Sequence, residues 1–450
     1  MHRLLNSFFA LAAVFMLALM PILLVAQPAE AHNGEESYVY LDIFDDAIAG
    51  NIQYPVADIN EILGLSIPQD RQGAFDAMTA NLDVLQAYTD RHFKMGDGAG
   101  AWPIEYTGYR VLELSAGTYG ILEFETAEPL NPVPRQFTVD YTAIITEKDD
   151  RAALLLIAND WATGTFRNEG DSLLRYTTTN TSQVVDLEDA SWLKGMSAVI
   201  GLGVEHIRIG SDHILFVLAL VLPSVLVFRR PEGWLPARTF GSSLWRVLKI
   251  VTMFTVAHSI TLALGGLEII ELPPRLVEAV IAISIALAAL HNIRPMFVNK
   301  EWLLAFGFGL FHGFGFAGLL TELGLDRSNR IASLLGFNIG IELGQMVIIL
   351  LIFPALFLLR RTRSYLGVMY VGSVALALVA LGWALERVFD LESSVSTLVD
   401  PILDWPRSLY IAIGLTAIAA VVYWYERSND ELLPLPSEEP DRTEEPALTV

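Results

Sequence analysis

The stretch GLGVEHIRIGSDHILFVLALVL, Gly201 to Leu222, carries two histidines and an aspartate at the mouth of an apolar run long enough to enter a bilayer. Ionisable side chains at such a place are costly, and the default reason for keeping them is function. Imidazole nitrogen and carboxylate oxygen are also metal ligands. The rest of the chain is therefore read as what completes a site around His206, Asp212 and His213.

Their spacing poses a geometric problem. His206 and His213 are seven residues apart, which on a continuous helix separates their backbones by about 10.5 Å along the axis. An ion held about 2.0–2.1 Å from each imidazole nitrogen could hardly be shared by both. Either the helix breaks between them, with Gly210–Ser211 as the natural point, or they serve different sites. A broken helix facing a cavity is an accepted way to build an ion site in a membrane, and the break is the preferred reading. Without it, His206 becomes an entrance or relay residue beside Asp212 and His213.

Composition agrees with a membrane setting. The 450 residues are 53% hydrophobic with a mean hydropathy of +0.45, too apolar for an ordinary soluble protein. The formal charge of −22 argues against nucleic acid as a partner, which needs a basic surface, and favours cations. The absence of cysteine removes disulfides, thiolate metal sites and cysteine nucleophiles. No GxxxxGK[ST] run is present, so P-loop nucleotide hydrolysis is not expected.

Residues 1–31 have the build of a secretory signal: Arg3, an apolar core from Leu4 to Val25, and Ala29-Glu30-Ala31 as cleavage site, with an uncleaved anchor as the alternative. Cleavage there would leave His32 as a new N-terminus whose amine and imidazole could chelate a metal. Residues 32–190 read as an exported, acidic, mostly β, sandwich-like domain. Runs such as SYVYLDIF, YGILEFET and QFTVDYTAII are punctuated by Gly, Pro, Asn and Asp. One helix is expected from about Ala74 to His92, and His92 is taken as structural. Residues 32–194 hold 27 Asp/Glu against 10 Lys/Arg, a solvated acidic face that also concentrates cations weakly near the membrane.

An α-helical bundle of about seven transmembrane helices is expected over 191–426, with apolar segments at about 209–228, 247–267, 274–292, 302–324, 331–359, 365–388 and 408–425. Arg229, Arg230, Arg238, Arg246, Lys249, Arg294, Lys300, Arg360, Arg361 and Arg363 fall in alternate loops, whereas the other connections are acidic. The positive-inside rule then places the N-terminal domain outside the cytoplasm and the C-terminus inside, in a multi-pass cell (inner) membrane protein. Residues 427–450 read as a disordered, acidic cytoplasmic tail.

With that orientation, helix rise places His206, His213, His258, His312 and Glu342 at a similar depth in the outer half of the membrane. His291 stands apart at the cytoplasmic edge. Asn338, Glu342 and Gln345 share one helix face at i, i+4 and i+7. Gly336, Gly340 and Gly344, like Gly309 and Gly313, form small-residue ridges that let helices approach closely.

At these residues the sequence resembles the HupE/UreJ family of membrane proteins. The resemblance rests on HIRIGSDHILF, FTVAHSITL, FGLFHGFGFAGL and FNIGIELGQ and covers about residues 195–360 well. It implies a nickel permease of the longer branch with an exported N-terminal domain. The run His206, Asp212, His213 is also similar to the H-x4-D-H signature of nickel/cobalt permeases, with one more residue in the spacing. A permease for a divalent transition metal (Ni, Co or Zn) is the leading expectation, with metal ion and lipid bilayer as its partners. Its site would comprise His206, Asp212, His213, His258, His312 and Glu342, with His32, Gln345 and Asn338 as further candidates. Three alternatives stay open. One is an intramembrane zinc-dependent hydrolase with Glu342 or Asp212 as general base. The second is a haem protein ligated by His258 and His312. The third is a receptor-like protein whose exported domain carries the function.

Overall fold

A computed structural model gives the fold. It describes residues 36–436 apart from 115–116, 167, 169–171, 188–189, 268, 271, 316–328, 390 and 392–393. The expected signal over 1–31 and His32 lie outside the described residues. Those residues fall into two compact units, one built mainly from 36–199 and one from 200–315 and 334–436.

The first unit is mostly β. Its larger sheet is ordered β5 (Ile104–Leu114), β6 (Gly117–Thr126), β2 (Ile48–Pro55), β1 (Glu36–Ile43), β8 (Ala152–Asp160), β9 (Leu174–Tyr176). The smaller runs β10 (Ser182–Asp186), β7 (Gln136–Tyr141), β3 (Phe93–Asp97), β4 (Gly100–Trp102). Every pairing is antiparallel except β1 with β8. Both sheets feed one core, in which Leu41, Ile52 and Phe124 of the first join Phe93, Val139 and Tyr141 of the second. Strand β1 is central and buried on both faces: Val39 and Leu41 enter that core, while Tyr38 and Tyr40 join Tyr119 and Leu156 in a separate cluster. The run IAGNIQYP of β2 was not evident beforehand, because its Gly, Asn and Pro mimic a turn.

Helices are more numerous here than the periodicity implies. The helix expected over 74–92 is two, α2 (Arg71–Ala80) and α3 (Leu82–His92), preceded by α1 (Val56–Leu63). Asn81 separates them: its backbone leaves helical values and its amide donates to Ala77 O at 2.8 Å, closing the first helix. His92 packs on Tyr88, with ring centroids 4.4 Å apart, and bonds Thr142 through Nδ1 at 2.9 Å, consistent with a structural role.

The second unit is helical. Its elements are α4 (Trp192–Ile209), α5 (Ser211–Ser224), α6 (Phe240–Gly266), α7 (Pro274–Ile293), α8 (Glu301–Gly315), α9 (Arg330–Leu359), α10 (Tyr365–Phe389), α11 (Ser394–Leu403) and α12 (Arg407–Ser428). A short hairpin, β11 (Leu226–Arg229) and β12 (Gly233–Pro236), links α5 to α6. By length and composition α6, α7, α9, α10 and α12 are each able to cross a membrane, and α4 with α5, bent by 75°, are apolar enough only when taken together, as a broken span or a re-entrant loop. The expected segment 302–324 is helical from Glu301 to Gly315, and its remainder lies outside the described residues. The helices present apolar side chains outward, among them Ile331, Val371 and Val421. On α12, exposed Tyr410 and Trp424 stand near opposite ends of the helix, about 21 Å apart along it.

Glycine sets the closest contacts. A side chain at Gly309 would run into the carbonyl of Phe254, and one at Gly313 into the carbonyl of His258, so α8 lies directly on α6. Gly203 and Gly340 do the same for α4 and α9. The tail differs from expectation at its start. Helix α12 continues to Ser428, and Leu433 exchanges two hydrogen bonds with Arg361, its N–H to Arg361 O at 2.8 Å and its carbonyl from Arg361 Nε at 2.9 Å.

In the first unit, buried Asp58 of α1 accepts from Lys148 Nζ at 2.8 Å and Arg151 Nε at 3.0 Å, tying the helix to the segment after β7. Asp58→Ala leaves two cations facing a vacated buried site, so it should destabilise this unit by roughly 3–5 kcal/mol. Thermal challenge of the full chain should then show earlier proteolysis within residues 36–190.

Candidate metal-ligating site

The bend between α4 and α5 builds the site. Helix α4 ends at Ile209, Gly210 takes an extended conformation (φ −78°, ψ 93°), and α5 starts at Ser211. The break brings His206 Nε2 to 3.0 Å from His213 Nε2, with ring centroids 4.7 Å apart. One proton serves that contact, so one of the two nitrogens presents a lone pair to the other. The separation that a continuous helix would impose is removed, and His206 belongs to the same group as His213.

Two more histidines join from neighbouring helices. The His213 ring centroid is 6.0 Å from that of His258 on α6 and 5.5 Å from that of His312 on α8. Phe254 packs among them, 4.8 Å from His312 and 6.0 Å from His258. Asp212 stands in the first turn of α5, where the helix N-terminus favours a carboxylate, and its Oδ1 accepts from His213 N at 2.8 Å.

The polar atoms of this group are buried and poorly satisfied. His213, His258 and His312 are each at most 3% exposed. His213 Nδ1, both ring nitrogens of His258 and His312 Nε2 have no hydrogen-bond partner among the described residues. Such atoms are normally paired, and leaving them unpaired costs free energy. The His312 tautomer follows from its surroundings. Its Nδ1 donates to Phe308 O at 3.1 Å, which leaves Nε2 as a free lone pair. A backbone carbonyl on one nitrogen is the usual support for a metal-binding lone pair on the other.

A cavity of about 310 Å³ opens on this group, lined in part by His206, Asp212, His213 and His312. Its walls come from the N-terminal parts of α5 and α7 and the C-terminal parts of α8 and α10. The cavity therefore lies at the end of the bundle opposite Arg229, Arg360 and Arg361. Among the described residues no three His, Asp or Glu side chains already converge tightly enough to grip a single ion. The arrangement is a close pair with further free nitrogens beside it.

Sequence reasoning missed part of the rim. Ser211 donates to Asp400 of α11 at 2.6 Å, and Glu278 pairs with Arg387 at 3.3 Å; all four line the cavity. Asp400 is the only charged residue of α11, a faint signal for a polar contact in an otherwise apolar stretch. Buried Glu386 accepts from Val395 N at 2.7 Å and so anchors the start of α11.

The remaining candidates lie elsewhere. Glu342 is not in the cavity lining; its Oε1 accepts from Thr252 Oγ1 at 2.6 Å. Gln345 meets Thr255 at 3.1 Å, and Asn338 donates to Leu334 O at 2.7 Å. His291 accepts from Met296 N at 3.2 Å and borders a small cavity of about 50 Å³ at the other end of the bundle, with Arg246, Asn292 and Glu301.

The sequence model of the family described as HupE / UreJ protein matches residues 181–387, a stretch that contains His206, Asp212, His213, His258, His312 and Glu342. No curated protein matches the chain. The match and the apolar helices agree that this is an integral membrane protein. The stretch similar to the HupE/UreJ family, residues 181–387, carries the bend and all four clustered histidines.

Proposed function

We propose that the chain is a permease for a divalent transition-metal ion of the nickel or cobalt type, and that the ion passes through the group formed by His206, Asp212, His213, His258 and His312. The observation that carries this reading is the set of buried imidazole nitrogens without partners beside an open cavity. Imidazole and carboxylate suit Ni²⁺, Co²⁺ or Zn²⁺ better than a soft monovalent ion. Two nitrogens 3.0 Å apart, each about 2.0–2.1 Å from one ion, subtend roughly 90–95°, an angle that octahedral coordination accepts.

Transport fits this arrangement better than catalysis. A hydrolase needs one ion gripped by three ligands with an open position for water. Here a pair and a trail of separate nitrogens lead inward from the cavity, a layout suited to passing an ion on. Haem is disfavoured by space. Phe254 fills the gap around His258 and His312, and the glycine contacts of α8 on α6 leave no room for a macrocycle.

The orientation belongs to the same reading. Basic loops on the cytoplasmic side of the inner membrane put the cavity and the N-terminal unit outside the cytoplasm and α12's C-terminal end inside. The acidic composition of that exported unit raises the local cation concentration near the membrane.

His213→Ala should lower nickel or cobalt uptake by cells expressing the full chain by at least about tenfold; uptake equal to wild type would remove the assignment. Acidification provides a second check. A protonated ring has no lone pair for a metal, so protons compete with the ion for the site. Uptake should therefore fall as the outside is progressively acidified. A rise would contradict histidine ligation.

Gly210→Ala tests the bend. An added Cβ would lie 2.8 Å from His206 O and 3.1 Å from His213 Cδ2, so these two elements must shift apart. Nickel affinity of the purified full chain should fall by about tenfold or more, the loss expected when a ligand's support is disturbed.

A further inference from the structure

Glu342 is a half-buried carboxylate in the middle of α9, a 30-residue apolar helix, and it stands outside the cavity. An ionisable group at such a place needs a function or a partner of its own. Its surroundings follow from how α9 lies against α6. Phe240, at the start of α6, meets Phe353 and Phe357, near the end of α9, with ring centroids 5.0 and 5.1 Å apart. His206 meets Phe337 near the start of α9 at 5.4 Å. The two helices thus run in opposite directions. From the histidine group, Glu342 and Gln345 follow Phe337 by about 7.5 and 12 Å along α9. On α6, Thr255 and Thr252 precede His258 by about 4.5 and 9 Å. Both descents end at the same polar contacts, Thr252 with Glu342 and Thr255 with Gln345.

Two buried polar atoms here lack partners among the described residues, the Asn338 amide oxygen and the Gln345 amide nitrogen. Asn338 is 5% exposed; its amide nitrogen donates to Leu334 O, and its Oδ1 has no partner among the described residues. Gln345 is fully buried; its Oε1 faces Thr255 and its Nε2 is without a partner. Thr255 Oγ1 lies 3.2 Å from Val251 O and 3.1 Å from the Gln345 amide. A hydroxyl has one proton, which cannot serve two acceptors. Turning the amide satisfies both contacts: nitrogen donates to Thr255, and the carbonyl oxygen takes the unpartnered place. Asn338, Glu342 and Gln345 then present oxygens along one face of α9.

Beyond this group the bundle becomes apolar. Val217 and Val221 of α5, Val247 and Val251 of α6, and Ile349 and Phe353 of α9 pack together. We propose that Glu342, with Asn338, Gln345, Thr252 and Thr255, forms a second, oxygen-lined station for the same divalent cation, reached from the histidine group and sealed on its far side by this apolar cluster. The inference rests on the permease reading. Oxygen donors bind nickel-type ions less tightly than imidazoles do. An ion that reaches the second station is held more weakly there and leaves it more readily.

The test uses the purified full chain in nanodiscs, titrated with nickel(II) by calorimetry, and the same chain in proteoliposomes for nickel uptake. Glu342→Gln retains an acceptor for Thr252. It should leave nickel binding at the histidine group within about twofold while uptake falls at least about tenfold, the scale of losing a charged partner. Thr252→Val, which leaves every charge in place, should also keep binding, with uptake lowered by about three- to fivefold. Loss of binding in Glu342→Gln with an unchanged chromatographic profile would place Glu342 in the first site and overturn the proposal. So would normal uptake in both variants. His213→Ala separates the two readings. If it lacks uptake while Glu342→Gln transports normally, only the second station fails; if His213→Ala transports normally, the permease site itself fails.

Discussion

The break at Gly210 is the constraint on which the site depends. A continuous helix would hold His206 and His213 two turns apart, whereas the 75° bend brings their Nε2 atoms to 3.0 Å. The bend also leaves the last carbonyls of α4 and the first N–H groups of α5 without full helical partners. In a membrane such ends are tolerated only where they face a cavity or protein, and here they border a cavity of about 310 Å³. Glycine suits the corner because little room remains beside it: His206 O and His213 both crowd the position a Cβ would take.

Packing completes what the bend begins. Gly309 and Gly313 let α8 lie on the backbone of α6, which carries His312 towards His213 and His258. Gly203 and Gly340 seat α4 on α9 and fix the approach of His206. Buried imidazole nitrogens without partners are a standing cost that a purely structural core would avoid by using apolar side chains. Their retention at the meeting point of four helices is the physical reason for reading the region as a binding path.

Much of this was legible from residue type and spacing. Apolar runs marked most of the helices, because a membrane demands about 20 apolar residues per span and little else interrupts them. The approach of His213, His258 and His312 followed from depth, that of His206 from the break at Gly210, and the glycine ridges from their spacing. Other features depended on contacts that no local pattern announces. Asp400 reaches the cavity only because α11 folds back from beyond the family match, and its sequence neighbours are ordinary. Glu342 shares the depth of the histidines along the sequence, yet side-chain pairing with Thr252 takes it to a separate group. In the first unit, β2 was hidden by residues that favour turns, and its place in the sheet is decided by pairing with β1 and β6.

The central claim is that His206 and His213 act together on one ion across the bend. X-ray absorption spectroscopy of nickel(II) bound to the purified full chain measures this directly. The account predicts a shell with at least two imidazole nitrogens at about 2.0–2.1 Å in the wild type, and one fewer imidazole in His206→Ala. An oxygen-only shell, or a spectrum that His206→Ala leaves unchanged, would contradict it.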